Sequence, residues 1–193
     1  AKKLNTKVAH IEAGIRSFDL SMPEEINRMV TDCLTDFFFT TTILANDNLR
    51  KLGVPEDKIF LVGNVMIDTL LANRKKFKKP GFFDTFNLQK GKYLVLTLHR
   101  PANVDEPEKL KSLLFELTEN ARGLPIIFPI HPRTAKVFKA LKFKPHNLIL
   151  IEPLGYLEFN YLVENCKAVI TDSGGITEET TVMGKPCITL RDN

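Results

Sequence analysis

Ala168-Val169-Ile170-Thr171-Asp172-Ser173-Gly174-Gly175-Ile176-Thr177-Glu178-Glu179-Thr180-Thr181-Val182-Met183 is a short apolar run, a polar turn carrying two glycines, and a helix-like stretch. Ala168 to Thr171 shows no polar alternation, so the strand it predicts is buried on both faces, the habit of parallel sheets. Parallel strands need a crossover between them, usually a helix. Gly175 to Met183 supplies one, and Cys187 to Leu190 reads as the next strand. The same alternation extends backwards. Tyr93-Leu94-Val95-Leu96-Thr97-Leu98, Ile126-Ile127-Phe128 and Leu148 to Ile151 read as strands. Pro107 to Arg122, Thr134 to Leu141 and Leu157 to Glu164 read as helices, the first with Leu110, Leu113, Leu114 and Leu117 on one face and Pro107 near its start. Five strands separated by four helices predict an α/β fold, a parallel sheet under two helix layers.

The first half is less regular but of the same class. Val8 to Ile11 reads as a strand, followed by a loop to Met22. Pro23 opens a helix through Leu34, with Glu24 and Glu25 placed favourably against its dipole. Phe37 to Thr40 is a strand, Ile43 to Leu52 a helix closed by Gly53, and Ile59 to Val62 a strand closed by Gly63. Val65 to Ala72 is helix-like; after it come Arg74-Lys75-Lys76-Phe77-Lys78-Lys79 and Pro80-Gly81. The expected organisation is a first domain over 1–68, a linker over 69–91 and a second domain over 92–193.

The chain has 193 residues, 44% of them hydrophobic and 26% charged, with a formal charge of +4. These are ordinary values for a soluble globular protein able to bury a core. No apolar run approaches the ~20 residues that span a bilayer, so no membrane insertion is expected. There is no signal-peptide pattern, and the three widely spaced cysteines, Cys33, Cys166 and Cys187, suit a reducing compartment, hence a cytoplasmic location. The basic run reads as a solvated face, and no nucleic-acid partner is expected. His10, His99, His131 and His146 show no metal-ligand spacing, so no metal is expected.

In open α/β sheets, ligands bind beyond the carboxyl ends of the strands. Polar and glycine residues recur there: His10, Glu12 and Arg16; Gly63 and Asn64; His99 and Arg100; His131 and Arg133; Glu152; and Asp172 to Gly175 with Glu178 and Glu179. The pattern predicts one cleft fed from both domains. Ser173-Gly174-Gly175 can cradle phosphate on helix-start amides, or be a tight turn with a Ser cap. Glu179, one turn further, can reach a second part of the same ligand, such as ribose hydroxyls. His99 and Arg100 suit a pyrophosphate, or His99 caps its strand. Glu12 and Glu24 can converge as paired acid and base, or Glu24 can simply pair with Arg28 at i, i+4. Spacing alone leaves both open.

Six stretches, in order, resemble the non-hydrolysing UDP-N-acetylglucosamine 2-epimerases. They are His10-Ile11-Glu12-Ala13-Gly14-Ile15-Arg16-Ser17, Met22-Pro23-Glu24-Glu25-Ile26-Asn27-Arg28, Val62-Gly63-Asn64-Val65-Met66-Ile67-Asp68, Leu98-His99-Arg100, Pro129-Ile130-His131-Pro132-Arg133-Thr134 and Thr171 to Glu179. The resemblance implies two Rossmann-like domains in the GT-B arrangement with a nucleotide sugar between them. It implies inversion at sugar C2, interconverting UDP-GlcNAc and UDP-ManNAc through loss and re-addition of UDP, without a cofactor. Glu12, Glu24 and Arg28 match the family's acid/base machinery, and His99 the histidine beside the diphosphate. Ser173, Gly174 and Gly175 match the phosphate turn and Glu179 the ribose carboxylate, with Arg100 and His131 expected on the UDP-sugar.

The resemblance also marks departures. The family's opening glycine-rich loop, its strand ending in Gly-Asp, and a Thr-Glu-Arg-Pro-like stretch with a closing helix find no match here. Ala102 stands where many members have Glu, and Cys33 where many have His. Both domains are therefore expected to be incomplete, with little epimerase activity in this chain alone. Family members are commonly homodimers when intact. A glycosyltransferase of the same fold, a hydrolysing epimerase, an epimerase of UDP-2,3-diacetamido uronic acids and a non-catalytic UDP-binding module are the alternatives.

Overall fold

The computed structural model describes residues 1–141 and 143–191. They form two compact units, Ala1–Asp68 and Thr69–Asn193.

The first unit runs β1 (Ala9–Ile11), α1 (Pro23–Cys33), β2 (Phe37–Thr40), α2 (Ile43–Lys51), β3 (Ile59–Leu61) and α3 (Val65–Asn73), the last crossing the boundary. The three strands pair in parallel in the order β1-β2-β3. Pro23 takes the first turn of α1, where a missing N–H costs nothing. Thr42 caps α2, its hydroxyl accepting from the Ala45 N–H at 3.2 Å. The core is small: Ala13, Phe38, Leu49 and Ile59, with Val54 against it. The opposite sheet face carries Phe37, Phe39 and Phe60, with Phe39 stacked on Phe60 at 5.4 Å between centroids and Phe60 39% exposed. The expected two-sided burial is thus achieved on one face of this sheet.

The second unit adds α4 (Phe82–Thr85), β4 (Leu94–Thr97), α5 (Pro101–Val104), α6 (Pro107–Asn120), β5 (Ile126–Pro129), α7 (Pro132–Ala140), β6 (Leu148–Ile151), α8 (Tyr156–Asn165), β7 (Ala168–Thr171), α9 (Gly174–Met183) and β8 (Cys187–Thr189). Its parallel sheet has the order β6-β5-β4-β7-β8. Alternate strand residues feed opposite faces, as the pleat requires. Val95, Ile127 and Val169 join a core with Leu162, Val163 and Met183, whereas Leu96, Phe128 and Ile170 join another with Leu110, Leu114 and Phe138. This is the parallel sheet between two helix layers predicted from the unbroken apolar runs.

Residues 69–91, expected as a linker, are folded onto this unit: Leu70, Phe83 and Leu88 are buried in its first core. The basic run is anchored too. Arg74 pairs with Glu164 at 2.7 Å, and Lys79 pairs with Asp84 at 2.5 Å while its ammonium sits 5.3 Å from the centre of the Phe83 ring. Two short helices, α4 and α5, are absent from the pattern reading because four residues are too few to display a helical period.

Candidate nucleotide and acid/base site

Numbered within the second unit, its strand order is 3-2-1-4-5, and the order reverses between β4 and β7. Such a reversal opens a crevice at the carboxyl ends of the two strands, where doubly wound sheets bind ligands. His99 and Arg100 leave one of these strands and Asp172, Ser173 and Gly174 the other. Thr97 and Thr171 close the floor, their hydroxyls 2.6 Å apart.

Asp172 organises the crevice. It is fully buried, and it accepts from the N–H of His99 at 3.0 Å, the N–H of Arg100 at 2.9 Å and the Asn103 amide at 3.1 Å. Its other oxygen lies 2.7 Å from Nδ1 of His99. A carboxylate only accepts, so Nδ1 carries the proton and Nε2 is left for a ligand. The ring is 61% exposed, which a purely structural strand cap would not need. Asp172 entered the strand-end pattern without a role of its own. The signal that could have singled it out is an acidic residue ahead of a Ser-Gly-Gly turn, at a position where burial forces it to find donors.

Ser173 is the N-cap of α9, and its hydroxyl makes no capping bond, so it remains available beside the first amides of the helix. A Cβ added to Gly174 would come within 3.2 Å of the Arg191 guanidinium, so glycine lets this cation lie close over the helix start. Gly175 follows in the first turn, half-buried. Glu179 lies further along α9 and is half-buried. Burial raises its pKa above the ordinary glutamate value, Glu178 adds to the effect, and a hydrogen bond from Tyr156 opposes it. His131 follows β5, one strand further from the reversal, and is exposed. The structure therefore gathers His99, Arg100, Ser173, Gly174 and Gly175 about one crevice and sets His131 one strand away.

In the first unit, Glu12 leaves β1 with φ +66, a left-handed conformation uncommon for a residue with a Cβ. The chain then makes its turn at Gly14, φ +76, where a Cβ would stand 2.4 Å from the Ala45 carbonyl oxygen. Only glycine fits. Asn48 donates to the Gly14 carbonyl at 3.0 Å, and Asp32 binds both Arg16 and, at 2.5 Å, His10. The loop bearing Glu12 is thereby fixed at both ends.

Glu24 occupies the first turn of α1 and is exposed. The i, i+4 pairing of Glu24 with Arg28 does not form. Arg28 instead reaches Glu25, one turn back, at 3.2 Å. Glu25 is only 1% exposed and also accepts from the N–H groups of Ser17 and Phe18 at 3.0 and 3.2 Å. Burial opposes its ionisation, but these donors and Arg28 prevail and hold its pKa below the usual value. Neighbouring glutamates thus divide their tasks. Glu25 clamps the loop, whereas Glu12 and Glu24 make no side-chain hydrogen bond or ion pair among the described residues.

A hollow of about 360 Å³ also lies in this unit, lined by Met29, Cys33, Phe38 and Val54 among others. It sits toward the amino ends of β2 and β3, the wrong end for strand-end chemistry. Among the described residues no helix is long and apolar enough to cross a membrane.

The profile of the UDP-N-acetylglucosamine 2-epimerase family matches residues 1–193. The chain is 46% identical to the UDP-N-acetylglucosamine 2-epimerase of Methanocaldococcus jannaschii, over 100% of this chain and 56% of that protein. It is 42% identical to the UDP-2,3-diacetamido-2,3-dideoxy-D-glucuronate 2-epimerase of Pseudomonas aeruginosa, over 100% of this chain and 54% of that one. The crystal structure of the M. jannaschii enzyme in complex with UDP-GlcNAc and UDP superposes with a TM-score of 0.84, covering 99% of this chain and 55% of that one, at 46% identity. The chain thus spans little more than half the length of its relatives. By profile, identity and fold, it belongs to the UDP-N-acetylglucosamine 2-epimerase family.

Proposed function

We propose that the whole protein is a non-hydrolysing UDP-N-acetylglucosamine 2-epimerase, interconverting UDP-GlcNAc and UDP-ManNAc. Two Rossmann-like domains of GT-B type, each represented in part here, would make up its fold. The observation that carries the reading is the crevice at the β4/β7 reversal, where buried Asp172 holds the His99-Arg100 backbone beside the α9 N-terminus. Helix-start amides, an imidazole and a guanidinium make a diphosphate site.

The chemistry is redox-neutral. A carboxylate of the Glu12/Glu24 pair takes the C2 proton, the C–H electrons become the C1=C2 bond, and the C1–O bond breaks to release UDP. His99 and Arg100 stabilise the charge that gathers on the departing diphosphate. The other carboxylate returns a proton to the opposite face of C2 as UDP adds back to C1, and Arg28 accompanies this pair. That Glu12 and Glu24 are unpartnered while Glu25 is clamped supports the assignment. Glu179 takes the ribose hydroxyls, and His131 lies further along the sugar nucleotide.

Incubating the whole protein with UDP-GlcNAc and following products by proton NMR tests the reading. UDP-ManNAc with no free sugar is expected. Free ManNAc with UDP would make it a hydrolase, and sugar transfer to an added acceptor would make it a transferase. The 42% identity to the diacetamido-glucuronate epimerase favours a second substrate, the UDP-2,3-diacetamido uronic acid, which the same assay distinguishes.

A further inference from the structure

Tyr156 opens α8, just after β6, and Glu179 lies on α9. The phenol donates to Oε1 of Glu179 at 3.1 Å, joining two helices that pack on each other. Tyr156 is 41% exposed and its polar end is spent on a carboxylate, not on solvent. The two helices are also anchored in the core, α8 by Leu162 and Val163 and α9 by Met183.

We infer that Tyr156 is a positioning residue: it holds one oxygen of Glu179, fixing the carboxylate so that the other oxygen meets the vicinal hydroxyls of a ribonucleotide. The inference rests on the proposed UDP site and adds to it the device that distinguishes ribose from sugars lacking those hydroxyls. A half-buried glutamate is costly to leave charged without a donor. Tyr156 supplies that donor, and its own hydroxyl is pushed up to about 12 by burial and by the adjoining carboxylate, so it stays a donor throughout the working range. One good hydrogen bond lost at such a site weakens binding roughly threefold to tenfold.

The test is calorimetric titration of the whole protein with UDP and with 2′,3′-dideoxy-UDP, for the native sequence and for Tyr156→Phe, Glu179→Gln, Ser173→Ala and the Tyr156→Phe/Glu179→Gln double variant. Tyr156→Phe is expected to weaken UDP about threefold to tenfold and to leave dideoxy-UDP within about twofold. The double variant should bind UDP no worse than Glu179→Gln alone, since coupled residues are not additive. Equal weakening of both nucleotides, or additive losses, would mean a general packing effect and overturn the inference. So would UDP binding that depends on Glu179 but is untouched by Tyr156→Phe. If UDP fails to bind, or binds regardless of Ser173→Ala and Glu179→Gln, the site reading itself falls and this inference with it.

Discussion

The two units hold their site residues by different means. In the second, a five-stranded sheet is covered on both faces, and its two cores include Leu96, Leu110, Leu114, Ile126, Ile127 and Leu162, all fully buried. The crevice is a consequence of strand order, and one buried carboxylate, Asp172, finishes it. In the first, four buried residues make the core, and the loop between β1 and α1 is held by polar clamps: Asp32 on His10 and Arg16, Glu25 on Ser17 and Phe18, Asn48 on Gly14. In the proposed reading a nucleotide would be bound by helix-start amides that the sheet positions, and a proton would be moved by carboxylates that must be left unpaired. Freeing Glu12 and Glu24 is possible because other side chains fix the backbone around them.

This contrast can be broken from either side. The largest effect is expected from Leu110→Ala, which empties the core beside Leu114 and should cost about 2–5 kcal/mol, read by urea denaturation, with UDP affinity falling as the unit unfolds. Gly14→Ala comes next. Left-handed strain of about 1–3 kcal/mol adds to the collision with the Ala45 carbonyl, so the first unit should loosen while UDP affinity stays native. Loss of UDP binding in Gly14→Ala would show that the units are not separable in this way.

Smaller effects follow from the glutamates. Glu25 is more acidic folded than unfolded, so its stabilisation is present above its unfolded pKa and disappears as pH falls through the lower, folded value. Acid unfolding of the first unit should therefore be less steep in Glu25→Gln. Glu179 behaves oppositely. Its folded pKa is raised, so its stabilising contribution is complete below the unfolded value and is lost as pH rises through the folded one. In the proposed site, however, UDP would need the ionised form. Its affinity should begin to fall on acidification at a higher pH than for an ordinary glutamate, and Glu179→Gln should flatten that limb. A native limb at the ordinary glutamate position would contradict the placement of Glu179 at the ribose.

Most of the second unit was legible because unbroken apolar runs such as Ala168–Thr171 and helices with a leucine stripe such as Pro107–Asn120 report burial directly. The turn at Ser173-Gly174-Gly175 was legible as a break between strand and helix, because two glycines after an apolar run mark such a junction, whereas its use, phosphate cradle or Ser-capped turn, was not. The roles of Asp172 and Tyr156 were not, since their partners are 73 and 23 residues away in sequence. Residues 69–91 misled because the basic run and Pro80-Gly81 look like a solvated link, while the docking residues Phe83 and Leu88 lie on and beside a helix of only four residues that shows no period. The Glu24–Arg28 pairing failed for a different reason. Spacing offers Arg28 either Glu24 or Glu25, and only the fold of the loop at Ser17 and Phe18 shows that Glu25 is the one drawn inward.

The central claim, that unpaired Glu12 and Glu24 move the C2 proton while the β4/β7 crevice holds UDP, is tested most directly in heavy water. The whole protein is incubated with UDP-GlcNAc in D2O, and C2 deuteration is followed by NMR beside UDP affinity. Deuterium should enter C2 as UDP-ManNAc forms. Glu12→Gln and Glu24→Gln should each slow this by about 10²–10⁴-fold with UDP affinity preserved. Epimerisation without deuterium incorporation, or at native rate in both variants, would contradict the account.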